Sequence, residues 1–214
     1  MQDGTFDRTT KPTRTLYRFT AVIPNIGDGP FELREETDAN QIQTSYQRVY
    51  NDAGSLAAEY TIGTFENVDP AFGHLYLPGL AQYNLRAVLP DEGDGPGVGP
   101  VVATHYKTSF GVVDSTDFDL NLPGAPATRQ YSSANALILG ISVGWLDLYG
   151  RSLPGQWIDV TDVADGTYWL EVVIDPYERV RELNDDNNVA RTLVDLTIPA
   201  PAFLSGDFNR NRTV

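Results

Sequence analysis

Cysteine is absent from this chain of 214 residues. Without thiols the protein cannot form disulfide bonds, use a cysteine nucleophile or hold a metal through thiolate ligands. Histidine is nearly absent as well, since only His74 and His105 occur. A site that needs three imidazoles therefore cannot be assembled within one molecule.

Basic side chains are scarce relative to acidic ones. Fifteen lysines and arginines stand against 29 aspartates and glutamates, which gives a formal net charge of −14. This charge repels phosphate backbones and anionic lipids, so nucleic-acid binding and attachment to a membrane surface are disfavoured. It favours cationic partners, such as a protein that presents lysine or another amine. The sequence leaves the oligomeric state open.

Long hydrophobic runs are also missing. No stretch of 18 apolar residues occurs, so no membrane-spanning helix is predicted. Residues 1–14 contain no apolar centre and do not match a signal peptide. We therefore expect that an export signal has been removed or that the chain is a fragment of a longer protein.

The chain is rich in short alternating runs of apolar and polar residues. Tyr17, Phe19, Ala21 and Ile23 are predicted to share one face of a strand, and the same period of two recurs over 168–174. No long amphipathic helical pattern occurs. The pattern predicts an all-β fold, a single β-sandwich of about ten strands with long loops.

Composition divides the chain into three parts. We predict an N-terminal segment over 1–15, the β-sandwich domain over 16–198, and a proline-rich linker with a short tail over 199–214. Within the domain, the glycine-rich segment 91–100 is predicted to be a surface loop, and 114–130 a long connection. The glycine-rich segment lacks the spacing of a phosphate-binding loop.

Two stretches carry a family resemblance. The longer one, ISVGWLDLYGRSLPGQWIDVTDVADGTYWLEVVIDPYERVRELNDDNN, runs from Ile141 to Asn188, and the shorter one, HYKTSF, runs from His105 to Phe110. Together with YRFTAVIPNIGDGPFELR and QRVYNDAG near the N-terminus, they resemble the catalytic domain of the lysyl oxidase family, in its bacterial branch. The resemblance covers residues 16–198 and implies the fold of that family.

The resemblance assigns roles to three residues. It implies that Lys107 and Tyr149 are the precursors of lysine tyrosylquinone, a cofactor that forms when a tyrosine is oxidised at a copper site and a lysine amine adds to its ring. A nearby carboxylate such as Asp147 would then act as the base that removes the substrate α-proton. The implied reaction is the oxidative deamination of primary amines, such as peptidyl lysine, to aldehydes.

The copper site implied by the family is mostly missing. The family pattern has three histidines at alternating positions of one strand, where their imidazoles converge on one ion. Here the aligned positions are Phe72, His74 and Tyr76, and an upstream histidine of the bacterial pattern aligns with Asp69. A composite copper site made of His74, Tyr76, Asp69 and His105 remains an alternative.

Two functions follow from these residues. The favoured one is a degenerate lysyl-oxidase-like domain, a pseudoenzyme without copper or quinone, that serves as a binding or structural module of an extracellular bacterial protein. In it, Tyr149 packs in the core with its hydroxyl bonded, and Lys107 extends toward a carboxylate such as Asp147. The alternative is an active copper- and quinone-dependent amine oxidase.

The last residues, SGDFNRNRTV, resemble the first half of a dockerin calcium loop. Asp207, Asn209 and Asn211 occupy loop positions 1, 3 and 5, where alternate oxygens wrap around a hard cation. Position 6, normally glycine, is Arg212, and the closing acidic ligand would lie after Val214. We expect calcium there only in a longer chain, and the resemblance favours an extracellular location.

Overall fold

The computed structural model describes residues 5–7, 9, 11, 13–40, 42–66, 79–91, 93, 95–107, 111–134 and 136–198. Over these ranges the chain has strands, turns and one short 3-10 helix, Asp185–Asn187, and no α-helix. The predicted all-β class is confirmed. Strands outnumber the predicted ten because several contain only two to four residues.

The strands of the described ranges, in chain order, are β1 (Thr5–Asp7), β2 (Leu16–Arg18), β3 (Ala21–Pro24), β4 (Phe31–Thr37), β5 (Ile42–Tyr50), β6 (Leu56–Glu66), β7 (Ala81–Asp91), β8 (Pro96–Lys107), β9 (Thr116–Asp117), β10 (Ile138–Ile141), β11 (Trp145–Tyr149), β12 (Ile158–Asp159), β13 (Gly166–Ile174) and β14 (Val189–Leu196).

Four antiparallel sheets enclose one hydrophobic core. Their strand orders are β1-β2-β12, β10-β4-β5-β6, β3-β11-β9 and β14-β13-β7-β8. Each sheet contributes buried side chains to the same cluster, for example Tyr17, Leu33, Trp145 and Leu170. Inward-facing positions alternate with outward-facing ones along β5, which is the pattern expected of a sheet packed on one side.

The N-terminal alternating run does not form one strand. Tyr17 lies in β2 and Ala21 in β3, and these two strands belong to different sheets. Tyr17, Phe19 and Ala21 are nevertheless all buried in the core, as their spacing predicts. The prediction of a single strand was wrong because periodicity reports which side chains face inward, and two short strands that turn a corner keep the same inward face.

The glycine-rich segment 91–100 is not a loop. β7 continues to Asp91 and β8 begins at Pro96, and Asp91 pairs with Pro96 in an antiparallel hairpin. Gly93 and Gly95 have positive φ angles of 118° and 97°, which supply the reversal. The predicted connection 114–130, by contrast, contains only the two-residue strand β9.

Gly144 holds the turn before β11 close to a neighbouring loop. Its φ angle is 74°, and a Cβ atom at this position would lie 2.3 Å from the carbonyl oxygen of Asp119. The amide nitrogens of Phe118 and Asp119 both donate to the Gly144 carbonyl. A side chain at this position would therefore push apart the segments that position β11.

No helix in the described part of the chain is long and apolar enough to cross a membrane. The predicted domain end at residue 198 stays a prediction, since residues 199–214 lie outside the described ranges.

Candidate functional site

Lys107 and Tyr149 lie side by side in the core. Lys107 is the last residue of β8 and Tyr149 the last residue of β11, in two different sheets. The Lys107 Nζ atom lies 4.8 Å from the centroid of the Tyr149 ring. Only 2% of the Lys107 surface and 6% of the Tyr149 surface are exposed. Packing of the two sheets thus brings the predicted quinone precursors into contact.

Asp147 completes this pair. It lies two residues before Tyr149 on β11, so both side chains point to the same face of the strand. One Asp147 oxygen accepts a hydrogen bond from the Tyr149 hydroxyl, and the other accepts one from the Ser115 hydroxyl at 2.8 Å. The Val113 amide also donates to Asp147, at 3.4 Å. Asp147 is as buried as Lys107.

Burial controls the protonation of all three groups. It lowers the pKa of Lys107 to about 8, although the negative charge of Asp147 acts in the opposite direction. It raises the pKa of Asp147 above its usual value, and the hydrogen bonds from Tyr149 and Ser115 offset only part of this effect. It also raises the pKa of Tyr149 far above 10, and the nearby Asp147 charge adds to that shift. Tyr149 is therefore a neutral phenol at neutral pH.

A second buried polar pair lies next to these residues. The Tyr83 hydroxyl donates to Oε1 of Gln156 at 3.0 Å, and both side chains have no exposed surface. Burial raises the pKa of Tyr83, and the charge of Asp147 contributes to the rise, as expected of neighbouring groups. The Gln156 Nε2 atom has no hydrogen-bond partner among the described residues. The Lys107 cluster thus extends toward β7 and the segment before β12.

His105 lies two residues before Lys107 on β8. Its ring stacks on the indole of Trp157, with centroids 3.8 Å apart, and a hydrogen bond joins it to the backbone of Gly155. Burial lowers its pKa to about 4, and the Lys107 and Lys11 charges also act in that direction. His105 is therefore neutral at physiological pH. Its Nε2 atom has no hydrogen-bond partner among the described residues.

The other predicted metal ligands cannot be placed. His74, Tyr76 and Asp69 fall within 67–78, outside the described residues, and so do Asp207, Asn209 and Asn211 of the calcium-loop resemblance. Within the described ranges, no three histidine, aspartate or glutamate side chains converge as metal ligands would.

The donors that the structure does describe do not fit a copper site. His105 is the one described histidine, and its Nε2 atom is the one imidazole nitrogen among the described residues that has no hydrogen-bond partner. Copper sites of the three-imidazole kind need two more such ligands, and the whole chain offers one more histidine.

Sequence reasoning missed several members of the cluster. Ser115 lies in a segment predicted only as a connection, and nothing in its local sequence indicates a contact with Asp147. Gln156 occurs in the segment 141–188 that carries the family resemblance, but no sequence signal indicates that it bonds to Tyr83.

Comparison with known proteins gives a family match over part of the chain. Residues 98–199 match the family model described as lysyl oxidase. This range contains Lys107, Asp147 and Tyr149, and it begins after the predicted copper segment 69–76.

Curated relatives agree with that match. Lysyl oxidase homolog 2 of Xenopus laevis is 38% identical over 93 residues, which is 44% of this chain and 11% of the relative. Lysyl oxidase homolog 3B of Danio rerio is 41% identical over 93 residues, again 44% of this chain and 11% of the relative. Lysyl oxidase homolog 3 of Homo sapiens is 38% identical over 93 residues, 44% of this chain and 12% of the relative. The chain thus aligns with about a tenth of the length of these relatives.

Proposed function

We propose that this chain, whose residues 98–199 match the lysyl oxidase family model, is a degenerate lysyl-oxidase-like module that binds or supports other proteins without copper or quinone chemistry. The shortage of imidazole carries the proposal. The chain has two histidines, and among the described residues His105 has no two further histidine, aspartate or glutamate side chains around it that could complete a metal site. Redox activation of a tyrosine ring needs a metal centre that two histidines do not supply in the family pattern.

In such a module the Lys107 cluster has a structural role. The Lys107 ammonium over the Tyr149 ring links β8 to β11, and Asp147 holds the Tyr149 hydroxyl. A cation over an aromatic face contributes about 0.5–2 kcal/mol when it is partly desolvated. The cluster would thus join two sheets between which no backbone hydrogen bond occurs among the described residues.

The setting of this module is part of the proposal. We propose an extracellular location, which the family match and the calcium-loop resemblance of the tail favour. The charge of −14 supports a partner that presents lysine or other amines rather than a nucleic acid.

Copper loading followed by peptide mapping tests the proposal. The protein is incubated with copper in air and dialysed, and its bound metal is measured. It is then digested, and its peptides are identified by mass spectrometry. We expect far less than one copper per chain and separate peptides for Lys107 and Tyr149. The Tyr149→Phe variant is the matched control, because it cannot form the cross-link but keeps the aromatic ring. One copper per chain together with a joined Lys107–Tyr149 peptide in the unmodified chain alone would overturn the proposal.

One observation favours a second function, an amine oxidase of the family type. The Lys107 Nζ atom is 4.8 Å from the Tyr149 ring centroid, and its pKa of about 8 leaves part of the amine uncharged and nucleophilic near neutral pH. Asp147, with its raised pKa, is placed to exchange a proton beside the ring. Release of hydrogen peroxide from a primary amine, present in the copper-treated chain and absent in Lys107→Arg, would establish this function.

A further inference from the structure

Two exposed tyrosine rings lie next to each other, one near the end of β8 and the other in the turn that follows β13. The ring centroids of Tyr106 and Tyr177 are 6.0 Å apart, and the ring planes are inclined to each other by only 11°. Tyr106 is 41% exposed and Tyr177 is 56% exposed. Every other tyrosine among the described residues is buried or half-buried. The two described tyrosines that solvent reaches most easily are therefore neighbours.

A hydrogen bond joins the hydroxyl groups of the two rings. This bond, together with the charge that an ionised Tyr177 would carry, raises the pKa of Tyr106. In a tyrosine ring, the carbon that bears the hydroxyl is bonded directly to the two ortho carbons, Cε1 and Cε2. Hydroxyls in hydrogen-bond contact therefore bring an ortho carbon of one ring close to an ortho carbon of the other, and rotation of the exposed side chains can close the remaining distance.

Backbone hydrogen bonds fasten the two segments that carry these rings to the same stretch of chain. The Gly79 amide donates to the carbonyl of Lys107, the last residue of β8, at 3.3 Å. The Asp175 amide, at the start of the turn that carries Tyr177, donates to the Leu80 carbonyl at 2.7 Å. The backbone thus keeps the two rings close together, and little further freedom is lost when they meet.

The turn after β13 fixes the position of Tyr177. The Glu178 amide donates to the Asp175 carbonyl at 2.9 Å, and the Val180 amide donates to Oδ2 of Asp175 at 2.7 Å. The Tyr177 ring lies against the backbone of Gly79, where an added Cβ atom would be 3.2 Å from Cε2 of the ring. A side chain at Gly79 would therefore push the ring away from its neighbour on β8.

We propose that Tyr106 and Tyr177 form an oxidative modification site, at which a one-electron oxidant, such as a haem peroxidase supplied with hydrogen peroxide, joins the two rings as dityrosine. The bond would tie the end of β8 to the turn after β13, between residues that are far apart in sequence, and so restrict the unfolded chain as a disulfide does. The proposal does not depend on the proposed function, because it uses neither copper nor the Lys107 cluster.

The coupling reaction balances with hydrogen peroxide as the oxidant. Each phenol gives one electron to the haem enzyme and one proton to water. The two phenoxyl radicals combine through a new carbon–carbon bond between ortho carbons. Each of these carbons then loses its hydrogen as a proton, and the ring oxygen takes up a proton from water. The chain loses two hydrogen atoms in total, while one hydrogen peroxide is reduced to two molecules of water.

Peroxidase treatment followed by peptide mapping tests the proposal. The chain is treated in dilute solution with a haem peroxidase and limiting hydrogen peroxide, and the monomer is separated by gel filtration. We expect the monomer to show dityrosine fluorescence and a mass lower by two hydrogen atoms. After trypsin digestion, peptide 87–107 should be joined to peptide 152–179 through Tyr106 and Tyr177. A link between Lys107 and Tyr149 would instead involve peptide 130–151, so the two modifications are distinguishable.

Three tyrosine variants locate the bond. Tyr106→Phe and Tyr177→Phe each remove one phenol but keep the ring. Each should lower the yield of dityrosine monomer at least about tenfold, because only a phenol held nearby couples efficiently in dilute solution. Tyr168→Phe is the matched control, since Tyr168 lies on the same tryptic peptide as Tyr177 but is half-buried, and it should leave the yield nearly unchanged. Circular dichroism of the three variants verifies their fold.

Several outcomes would overturn the proposal. They are a treated monomer that keeps its mass, dityrosine found only in cross-linked dimers, a bond between other tyrosines, and equal yields from Tyr106→Phe and Tyr168→Phe. A Tyr106–Tyr177 bond in a chain that also holds one copper and a Lys107–Tyr149 link would overturn the proposed function alone. A metal-free chain that forms no dityrosine in its monomer would overturn this inference alone.

Discussion

Asp147 and Glu171 are two carboxylates with almost no exposed surface, but they have opposite pKa shifts. Burial would raise the pKa of Glu171, but hydrogen bonds from Arg86, Asn84 and Arg191 outweigh it and lower the pKa below its usual value. Asp147 receives hydrogen bonds from hydroxyls and an amide, and burial raises its pKa. Burial alone therefore does not decide the charge of a carboxylate in this fold.

The difference lies in the strands around each carboxylate. Glu171 is on the outward face of β13, between Arg191 on β14 at 2.6 Å and Arg86 on β7 at 2.8 Å. Its charge is compensated on both sides. Asp147 faces the core, where the nearest cation is the buried Lys107 with a lowered pKa. The Glu171 cluster is a saturated ion-pair network, whereas the Asp147 cluster is able to exchange protons.

The largest expected effect comes from removing Asp147. Asp147→Ala deletes the acceptor for the Tyr149 and Ser115 hydroxyls in the core and leaves a cavity, so we expect a loss of about 3–5 kcal/mol in the free energy of unfolding. Asp147→Asn keeps an acceptor oxygen and the volume of the side chain, so its free energy of unfolding should fall much less. Urea unfolding at neutral pH measures both variants. Equal losses in the two variants would mean that the ionisable carboxylate of Asp147, rather than its volume or its acceptor oxygen, is what stabilises the fold.

A smaller loss is expected at Glu171. Glu171→Gln leaves Arg86 and Arg191 without their counter-charge. Because both arginines are partly exposed, we expect a loss of about 1–3 kcal/mol in the free energy of unfolding at neutral pH. Because the folded-state pKa of Glu171 is lowered, the stability it contributes is present above pH 4.5 and is lost as the pH falls through the folded pKa. The difference in the free energy of unfolding between wild type and Glu171→Gln should therefore disappear in acid.

Glu59→Gln is the matched control, since Glu59 pairs with Arg34 at 2.9 Å but is largely solvated. Glu59→Gln should lower the free energy of unfolding by less than about 1 kcal/mol. A larger loss at Glu59 than at Glu171 would contradict the ranking by burial.

The smallest change in stability is expected at Glu35, and it is a gain rather than a loss. Burial raises its pKa, although Ser45 and Gln43 donate hydrogen bonds to it, and its Oε1 atom has no hydrogen-bond partner among the described residues. A carboxyl with a raised folded pKa binds more protons in the folded state, so its presence destabilises the protein as the pH rises above 4.5. Glu35→Gln should gain stability relative to wild type between pH 4.5 and neutral pH.

Thermal unfolding across this pH range provides the measurement for Glu35. A wild type that gains stability over Glu35→Gln as the pH rises, as expected of a salt-bridged carboxylate, would contradict the raised pKa. Glu171→Gln, measured in the same buffers, should show a stability difference from wild type that changes with pH in the opposite direction.

The alternation of apolar and polar residues predicted the all-β fold but not the positions where strands break or turn. The period of two over 168–174 corresponds to β13, where Leu170 faces the core. The break between β2 and β3 was missed because both strands bury the same face, and the β7/β8 hairpin was missed because glycine and proline usually mark loops. Pairing with a neighbouring strand overrode that local preference.

The candidate site shows the same division. Asp147 and Tyr149 share a face because they are two residues apart on one strand, which a sequence can indicate. The contact of Tyr149 with Lys107 was implied by family resemblance alone. Ser115, Gln156 and Tyr83 join the cluster through contacts between distant segments, for which no local pattern exists.

The amino-acid sequence by itself determined the shortage of imidazole, the absence of thiols, the strong negative charge and the all-β class, because these are properties of composition and of short-range spacing. Tertiary structure alone decided that Lys107 lies over Tyr149 and that Asp147 is protonated more readily than Glu171. These features depend on desolvation and on which strands become neighbours, and both are set only when the sheets pack together.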